Sequence, residues 1–413
     1  MLELADHLDG RGSGPIDSIK GLVFKKDNQI IRNEPRPFIE DLDQLPDPAW
    51  HMVDVKQYWA FALNTSRGCP FKCTFCYNTR FHNGYRADLS VSKIIAQIEH
   101  LQKEYGAKSI RFFEDNFTFN RKRLREFCNG IIQRKIKFEW DCEARADLSE
   151  EEIALMAKAG CTSVGLGVET GSHRMLHFLK KGMHLPQMEK SFWLFVKYKI
   201  SPRLYILHAL PTETIEDFAQ THELMERLDF PPYLYMHFVP YPGTPLAEYC
   251  FNKGLVEAPK SLAEWGEFVT KAGMEMNLSD LPDEVLAELR SHFRRTYTTR
   301  RLRFAIRHRP GFLFTGVTHP IEFFKTIRDL FKSSLAYIKG EKDKESLPFN
   351  ILKSPTIIWY RKHAQAVAEQ VAKRTAELQR EVDLLNRQLE KNSAGSEGEQ
   401  EEDTLGSKDT AAV

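Results

Sequence analysis

Three cysteines crowded into eight residues are the part of this sequence best equipped for chemistry. Cys69, Cys73 and Cys76 follow the spacing C-x3-C-x2-C within residues 65–78. Thiolates bind zinc and iron–sulfur clusters, and three thiolates on one short loop can reach three irons of a cubane cluster. No fourth cysteine lies nearby in the sequence. One iron would therefore keep an open position for another ligand.

Two plainer interpretations of the same loop stay open. A zinc site needs four ligands, usually from two paired elements, and His82 is the nearest residue that could serve as the fourth. A simple electron carrier normally supplies four cysteines. The second paired element and the fourth cysteine are both missing, which disfavours both interpretations. The other cysteines are isolated, and core packing is the better interpretation of each: Cys128, Cys142, Cys161 and Cys250.

The composition sets limits on what kind of protein this is. Of 413 residues, 42% are hydrophobic, which is enough for a sizeable core and excludes a wholly disordered chain. Lys and Arg number 58 against 57 Asp and Glu, so a globally basic nucleic-acid binder is disfavoured. No apolar run approaches the ~18 residues of a membrane span, and the acidic start lacks a signal core, so we expect a cytoplasmic protein.

Short strand-like runs alternate with segments of helical spacing between residues 58 and 245. This alternation predicts an α/β fold with a parallel sheet, built as a partial or complete (β/α) barrel of the TIM type. A Ser149–Glu152 capping box marks the start of one helix. The predicted strands are 59–65, 109–113, 138–142, 162–166, 203–207 and 233–239. In such barrels the active site lies at the C-terminal ends of the strands.

The whole chain divides into five predicted segments. They are a connector at 1–55, the barrel at 56–250, a helical basic appendage at 251–350, a helix or coiled coil at 360–390, and a disordered acidic tail at 391–413. The connector contains a candidate hairpin at residues 21–31 and then a proline-rich stretch that we expect to run extended over a surface.

The appendage carries eight arginines and two histidines between residues 290 and 309, with no acidic residue. A solvated helix face is the favoured interpretation of this cluster. A membrane-surface helix is the alternative, because five large apolar residues are interleaved: Phe293, Tyr297, Leu302, Phe304 and Ile306. Nucleic-acid binding is disfavoured.

The cysteine loop resembles that of the radical S-adenosylmethionine (radical SAM) superfamily, in which an aromatic residue, here Phe75, precedes the third cysteine. The strand-end sequences 110–118, 140–147, 164–172, 210–214 and 241–246 follow in the matching order. The resemblance covers about residues 20–345. More narrowly, the chain looks like the cobalamin-binding subfamily, which includes methyltransferases and an anaerobic oxidative cyclase.

Residues 19–50 are typical of the link between the cobalamin domain and the barrel in that subfamily. No D-x-H-x-x-G cobalamin motif is present in this sequence. We therefore expect that the cobalamin domain was lost, that it sits on another chain, or that the sequence is an incomplete version of a longer one.

The resemblance implies a [4Fe-4S] cluster held by Cys69, Cys73 and Cys76, with SAM on the open iron. Reduction would cleave SAM to a 5′-deoxyadenosyl radical that abstracts hydrogen from a substrate. Beside Phe75, the candidate cofactor-binding residues are carboxylates at strand ends and one arginine: Glu114, Asp115, Glu169 and Arg145. A SAM carboxylate contact and a structural salt bridge are equal alternatives for Arg145.

Two further features concern the fifth and sixth strands. The fifth-strand sequence 209–213 has Ala and Thr where related sequences usually have glycine, which puts close adenine packing there in question. Polar aromatic residues on these strands could face the cavity and touch substrate: Tyr205, His208, Tyr235 and His237. For both histidines, a satisfied interior position is an equal alternative.

The functional expectation is radical-initiated modification of an organic substrate. The alternatives are cobalamin-dependent methyl transfer and a non-catalytic iron–sulfur protein. The partners expected are a small-molecule or lipid-like substrate and a reductant such as flavodoxin or ferredoxin.

Overall fold

The computed structural model describes residues 2–12, 14–55, 61–274 and 276–308, without the side chains of residues 274, 294–299, 301 and 302. The described residues belong to one unit, Met1–Asp343. The predicted coiled coil at 360–390 and the acidic tail lie outside the described residues, in the unit Lys344–Val413.

A six-stranded parallel sheet forms the centre of the fold. Its strands are β3 (Phe61–Leu63), β6 (Ser109–Phe112), β7 (Glu139–Ala144), β8 (Cys161–Glu169), β9 (Ser201–His208) and β10 (Tyr233–His237). They lie in the order β10-β9-β8-β7-β6-β3, and all five pairings are parallel. Every strand is thus the neighbour of the next one in the chain. The prediction of a partial (β/α) barrel is confirmed.

Helices connect successive strands of this sheet. They are α3 (Val91–Tyr105), α4 (Arg121–Gln133), α5 (Glu150–Lys158), α6 (His173–Phe178), α7 (Leu185–Lys197) and α8 (Ile215–Arg227). In α3, Ile94, Ile98 and Leu101 recur every three or four residues and are fully buried against the sheet. The predicted capping box at Ser149 and Glu152 is present at the start of α5.

Aromatic packing fixes the interior between α4 and the sheet. The ring of Phe112 on β6 lies 5.4 Å from that of Phe127 on α4 and 5.6 Å from that of Trp140 on β7. Trp140 donates its indole N–H to the carbonyl of Ala159 at 2.9 Å, so its polar atom is satisfied while the ring stays buried. This packing holds the C-terminal end of β6, at Phe112, against α4 and β7.

The N-terminal segment combines short elements with extended chain. It contains α1 (Leu2–Leu8) and an antiparallel hairpin of β1 (Val23–Lys26) and β2 (Gln29–Arg32), the hairpin being where the sequence predicts it. The following stretch lies against α3, because Lys93 Nζ donates to the carbonyls of Asp43 and Leu45. The Phe38 ring stacks on that of Tyr85 at 4.2 Å. This stretch therefore lines one rim of the barrel.

The C-terminal described region consists of α9 (Pro245–Asn252), α10 (Leu262–Met274) and α11 (Asp283–His308). Phe293 and Phe304 on α11 are buried, and Phe293 stacks on Tyr235 of β10 at 4.3 Å. Arg300 is buried with its guanidinium over the Phe230 ring. These three residues of the 290–309 cluster are therefore buried within the protein. Two of the five apolar residues on which the membrane-surface interpretation depended, Phe293 and Phe304, are thus not available for contact with a membrane. Among the described helices, none is long and apolar enough to cross a membrane.

Candidate active site

The three cysteines lie on a loop whose ends are joined by a short antiparallel pair, β4 (Ser66–Arg67) with β5 (Ala87–Asp88). All three thiols are free; Cys73 is buried, and Cys69 and Cys76 are half-buried. Gly68 enters the loop with φ +82°, and a Cβ there would lie 2.2 Å from the Tyr85 carbonyl oxygen. Only glycine fits this close crossing of two backbones.

Backbone hydrogen bonds fasten the cysteine loop to both sides of the barrel. Thr74 N donates to the Leu179 carbonyl at 2.9 Å, and Leu246 N donates to the Thr74 carbonyl at 3.0 Å. Inside the loop, Cys76 N donates to the Cys73 carbonyl at 3.1 Å in a tight turn, which is followed by the short helix α2 (Asn78–Phe81). The loop is thus held from segments that follow β8 and β10.

Burial raises the pKa of Cys69 and of Cys76 above the ordinary thiol value. Among the described residues, no three His, Cys, Asp or Glu side chains converge on one point as ligands of a single metal ion would. A cubane cluster does not need such convergence, because each cysteine binds a different iron. Three free thiols on one anchored loop facing a cavity fit a cluster of this kind. His82 lies among aromatic rings, with Phe81 at 4.9 Å.

A cavity of about 1780 Å³ opens at the C-terminal ends of the strands. Its wall includes the three cysteines and all five of the other residues that the sequence singles out: Phe75, Glu114, Asp115, Arg145 and Glu169. Tyr205, His208, Tyr235 and His237 line it as well. The fold thus brings residues as far apart in the sequence as Cys69 and His237 to one cavity.

Glu114 lies at the end of β6 in a buried cluster of charges. Its Oε1 accepts a hydrogen bond from Thr65 Oγ1 at 2.5 Å, and its Oε2 lies 3.8 Å from both Arg86 and Arg123. Burial raises the pKa of Glu114, and Arg123 opposes that shift. The Oε2 atom is buried without a hydrogen-bond partner. Asp115 is exposed to the cavity and accepts a hydrogen bond from Tyr77 at 2.7 Å.

Glu169 ends β8 with φ +68° and pairs with Lys181. The ammonium lies 2.7 Å from Glu169 Oε1 and 5.8 Å from the centre of the Phe75 ring. A Cβ at Gly167 would come within 2.8 Å of both partners, so the glycine leaves room for the pair. This pair joins the β8 end to the cysteine loop.

A profile of the Radical SAM superfamily matches residues 63–225, which include the cysteine loop and strands β4 to β9. These residues therefore form a radical SAM domain. An uncharacterized methyltransferase of Pyrococcus horikoshii is 32% identical over 62% of this chain and 56% of its own length. The anaerobic magnesium-protoporphyrin IX monomethyl ester cyclase of Cereibacter sphaeroides is 28% identical over 55% of this chain and 39% of its own. The chain thus spans about half the length of these curated relatives.

The radical SAM fold of the chain is also found in a solved structure. The radical S-adenosylmethionine methyltransferase TsrM of Kitasatospora setae, with cobalamin and a [4Fe-4S] cluster bound, has a TM-score of 0.53 and 18% identity. The match covers 62% of this chain and 55% of that one. At this identity the likeness concerns the fold alone.

Arg145 of the radical SAM domain is engaged in structural contacts. Its Nη2 donates to the carbonyls of Lys181 and Gly182 at 2.7 and 2.9 Å, and its Nε lies 3.6 Å from Asp147. Its guanidinium stacks over Phe71 at 3.8 Å. The structural salt bridge is therefore the alternative that these contacts favour, and a SAM contact through Arg145 stays a prediction.

Sequence reasoning missed a polar network inside the radical SAM barrel. Glu143 on β7 accepts hydrogen bonds from Arg111 at 2.8 Å and from Tyr205 at 2.9 Å. Its Oε2 lies against β8, where a Cβ on Gly165 would be 1.9 Å away. Burial and the Glu143 carboxylate raise the pKa of Tyr205. The alternation of Asp141 and Glu143 along β7 was the signal available, because charged residues two apart on a strand share one face.

The loop after β9 carries the departures from the family pattern. Ala209 has φ +57° and Thr212 has φ +65°, so both hold the left-handed conformation that glycine adopts without strain. Glu213 is buried there, accepts a hydrogen bond from Leu210 N, and has its pKa raised to about 8 by burial. At Ala209 and Thr212 the loop therefore has the left-handed backbone conformation that glycine favours, although neither residue is glycine.

Proposed function

We propose that this protein is a radical SAM enzyme that binds a [4Fe-4S] cluster through Cys69, Cys73 and Cys76 and modifies an organic substrate. The observation that carries the proposal is the placement of three free thiols, on one anchored loop, in a cavity at the strand ends. When bound and reduced, the cluster supplies the electron that cleaves SAM to methionine and a 5′-deoxyadenosyl radical.

The chain's own residues have distinct parts in this proposal. The Gly68 turn and the Thr74 backbone bonds keep the three thiols on one side of the cavity. The Glu169–Lys181 pair and Asp115 offer polar groups for the charged ends of SAM. A barrel wall that keeps water from the bound substrate would protect a reactive radical from side reactions. The electron would come from a reductant such as flavodoxin or ferredoxin.

Cobalamin-dependent methyl transfer is the second candidate function. It is favoured by the relatives, since the Pyrococcus horikoshii protein is named a methyltransferase and the TsrM structure contains cobalamin beside its cluster. In this proposal a cobalamin-binding domain would complete the site. A non-catalytic iron–sulfur protein is the remaining alternative.

The decisive experiment is anaerobic reconstitution of the full chain with iron and sulfide, followed by reduction in the presence of SAM. We expect about four irons per chain, the visible absorption of a cluster, and release of 5′-deoxyadenosine and methionine. Methylated products would be sought in the same reactions, with and without added cobalamin.

Two cysteine variants form a matched comparison. Cys73→Ala removes a proposed ligand and should abolish both the cluster and SAM cleavage. Cys128→Ala removes a thiol that is buried in α4 and does not line the cavity, and should retain both. A stable cluster that leaves SAM intact would favour the non-catalytic alternative. Equal cluster content in the two variants would refute the ligand assignment.

A further inference from the structure

The cysteine loop has an outer face as well as the face that lines the cavity. Alternate residues of the loop line the cavity: Cys69, Phe71, Cys73 and Phe75. The residues between them do not: Pro70, Lys72 and Thr74. Such an alternation is that of extended chain, in which successive side chains point to opposite sides. A single layer of backbone therefore separates the proposed cluster from the outer face of the loop.

The stretch of chain that follows α6 lies directly beside the cysteine loop. Thr74 N donates to the Leu179 carbonyl at 2.9 Å. Arg145 joins the same two stretches a second time, because its guanidinium stacks over Phe71 at 3.8 Å and donates to the Lys181 carbonyl at 2.7 Å. The two stretches are thus held together at two points, one on each side of the loop residue 72.

Each of the two stretches presents an exposed lysine, Lys72 in the loop and Lys180 after α6. Lys180 has a defined backbone position, since its N–H donates to the His177 carbonyl and the next N–H, that of Lys181, donates to the Leu176 carbonyl, both at 3.0 Å. These two bonds form a Schellman motif at the end of α6. We call the surface around Lys72 and Lys180 the outer basic surface.

The segments that meet around Thr74 carry an excess of positive charge. They are residues 70–76, 173–182 and 244–250, the last joined to the loop by the bond from Leu246 N to the Thr74 carbonyl. Together they contain four Lys or Arg residues and one acidic residue, Glu248. The whole chain has a net charge of only +1, so this excess is local.

Two of the four cations already have acidic partners: Arg174 pairs with Asp217, and Lys181 pairs with Glu169. Lys72 and Lys180 form no ion pair within the part of the chain that the structure describes. The charges of these two lysines are therefore available to a binding partner, at the place where the wall over the proposed cluster is thin.

An acidic protein fits the outer basic surface. Unpaired charges attract an oppositely charged partner over a distance, which raises the rate of association and orients the partner before contact. The proposed reaction needs one electron for each SAM that is cleaved. A carrier that binds on the outer face would deliver this electron through the thin wall and leave the cavity free for SAM and substrate.

We propose that the outer basic surface is the docking site of an acidic electron-carrier protein, which reduces the cluster through the outer face of the cysteine loop. This inference rests on the proposed function, because it names the partner of the same cluster. With a flavin carrier, the anionic hydroquinone is oxidised to the neutral semiquinone and the cluster gains that electron, so no proton is transferred.

The binding of oxidised flavodoxin, a small acidic flavoprotein, tests the surface without SAM, reductant or turnover. Flavodoxin is titrated anaerobically into the reconstituted full chain and followed by calorimetry. We expect the affinity to fall as the salt concentration rises. The double variant Lys72→Glu/Lys180→Glu should bind about tenfold more weakly than the parent at low salt. Unchanged affinity in this variant would refute the docking site.

The double variant Lys137→Glu/Lys158→Glu is the matched control. It alters the net charge by the same amount, but its two exposed lysines lie at the N-terminal ends of β7 and β8, at the opposite end of the strands from the cavity. This variant should bind flavodoxin as the parent does. An equal loss of affinity in the two double variants would show that flavodoxin responds only to net charge, and would overturn the inference.

Further measurements distinguish a lost docking site from a damaged cysteine loop. The iron content of each variant shows whether the cluster is retained, and Lys180→Glu alone, which leaves the loop unchanged, should still weaken binding severalfold. The rate of cluster reduction, followed by absorbance, should fall with flavodoxin hydroquinone but not with photoreduced deazariboflavin, a small uncharged reductant. Equal slowing with both reductants would contradict docking. A failure of SAM cleavage would leave the binding results intact.

Discussion

Lys181 and Glu169 form a buried ion pair beside the cysteine loop, with the ammonium nitrogen 2.7 Å from Glu169 Oε1 and both side chains 8% exposed. Removing one partner of a buried pair leaves an uncompensated charge in a poorly solvated place. The pair therefore contributes to stability as well as to the polarity of the cavity.

Substitution of Lys181 by Met should lower the free energy of unfolding by roughly 3 kcal/mol, because Glu169 would then be buried without its partner. Urea unfolding of the apoprotein measures this. Lys197→Met is the matched control, since Lys197 forms a similarly short pair with Glu150 on the surface, where water screens the charges and the pair contributes little to stability. Equal losses in the two variants would contradict the prediction.

Gly68→Ala should prevent stable cluster formation, because a Cβ at Gly68 would lie 2.2 Å from the Tyr85 carbonyl oxygen and displace the loop that carries the thiols. Gly84→Ala is the control: Gly84 has nearly the same φ, +81°, with nothing within 4 Å of an added Cβ. Both variants have backbone strain, but only the first has a collision. The iron and sulfide content after reconstitution should fall in Gly68→Ala and persist in Gly84→Ala.

Thr212→Gly should stabilise the fold by about 1 kcal/mol, because a β-branched residue at φ +65° is strained and glycine is not. The gain is limited by the greater chain entropy of glycine in the unfolded state and by the loss of a weak contact from Arg174. Gly106→Ala should have the opposite sign, since Gly106 ends α3 at φ +65° in open space. Thermal or urea unfolding measures the stability of both variants. A change of the same sign in the two variants would contradict the prediction that Thr212 is strained.

Glu213 should make the protein less stable as the pH rises through neutrality. Burial raises its pKa from 4.5 to about 8 in the folded state, so between these values the folded chain holds a proton that the unfolded chain has lost. The stability that this group contributes is present below pH 4.5 and is lost as the pH approaches 8, by at most ~1.4 kcal/mol per pH unit. Urea unfolding of the apoprotein from pH 5.5 to 8 should show this fall.

The variant Glu213→Gln isolates the contribution of that carboxyl group, since the amide keeps its shape and does not titrate. Its unfolding free energy should fall less steeply over the same pH range than that of the parent. Parallel pH profiles for the two proteins would show that Glu213 is not the titrating group.

Much of the fold could be predicted because its signals are local. Ile94, Ile98 and Leu101 repeat at the spacing of one helix face, and the Ser149–Glu152 box marks a helix start within four residues. The predicted boundaries differ mainly at strand ends: β8 extends to Glu169 and β10 ends at His237. Strand ends depend on pairing with neighbours distant in sequence, which a local pattern does not contain.

The candidate site also contains some features that are local in the sequence and others that depend on the tertiary structure. The sequence by itself determined the thiol spacing on one loop and the carboxylates at strand ends, because both follow from residue types and local periodicity. Only the tertiary structure decided that Arg145 donates to the Lys181 carbonyl, that Glu143 accepts a hydrogen bond from Tyr205 across the barrel, and that Phe293 stacks on Tyr235. Such pairings depend on side-chain direction and on contacts between residues up to 62 apart in the chain. These contacts form only when the sheet curves around its cavity.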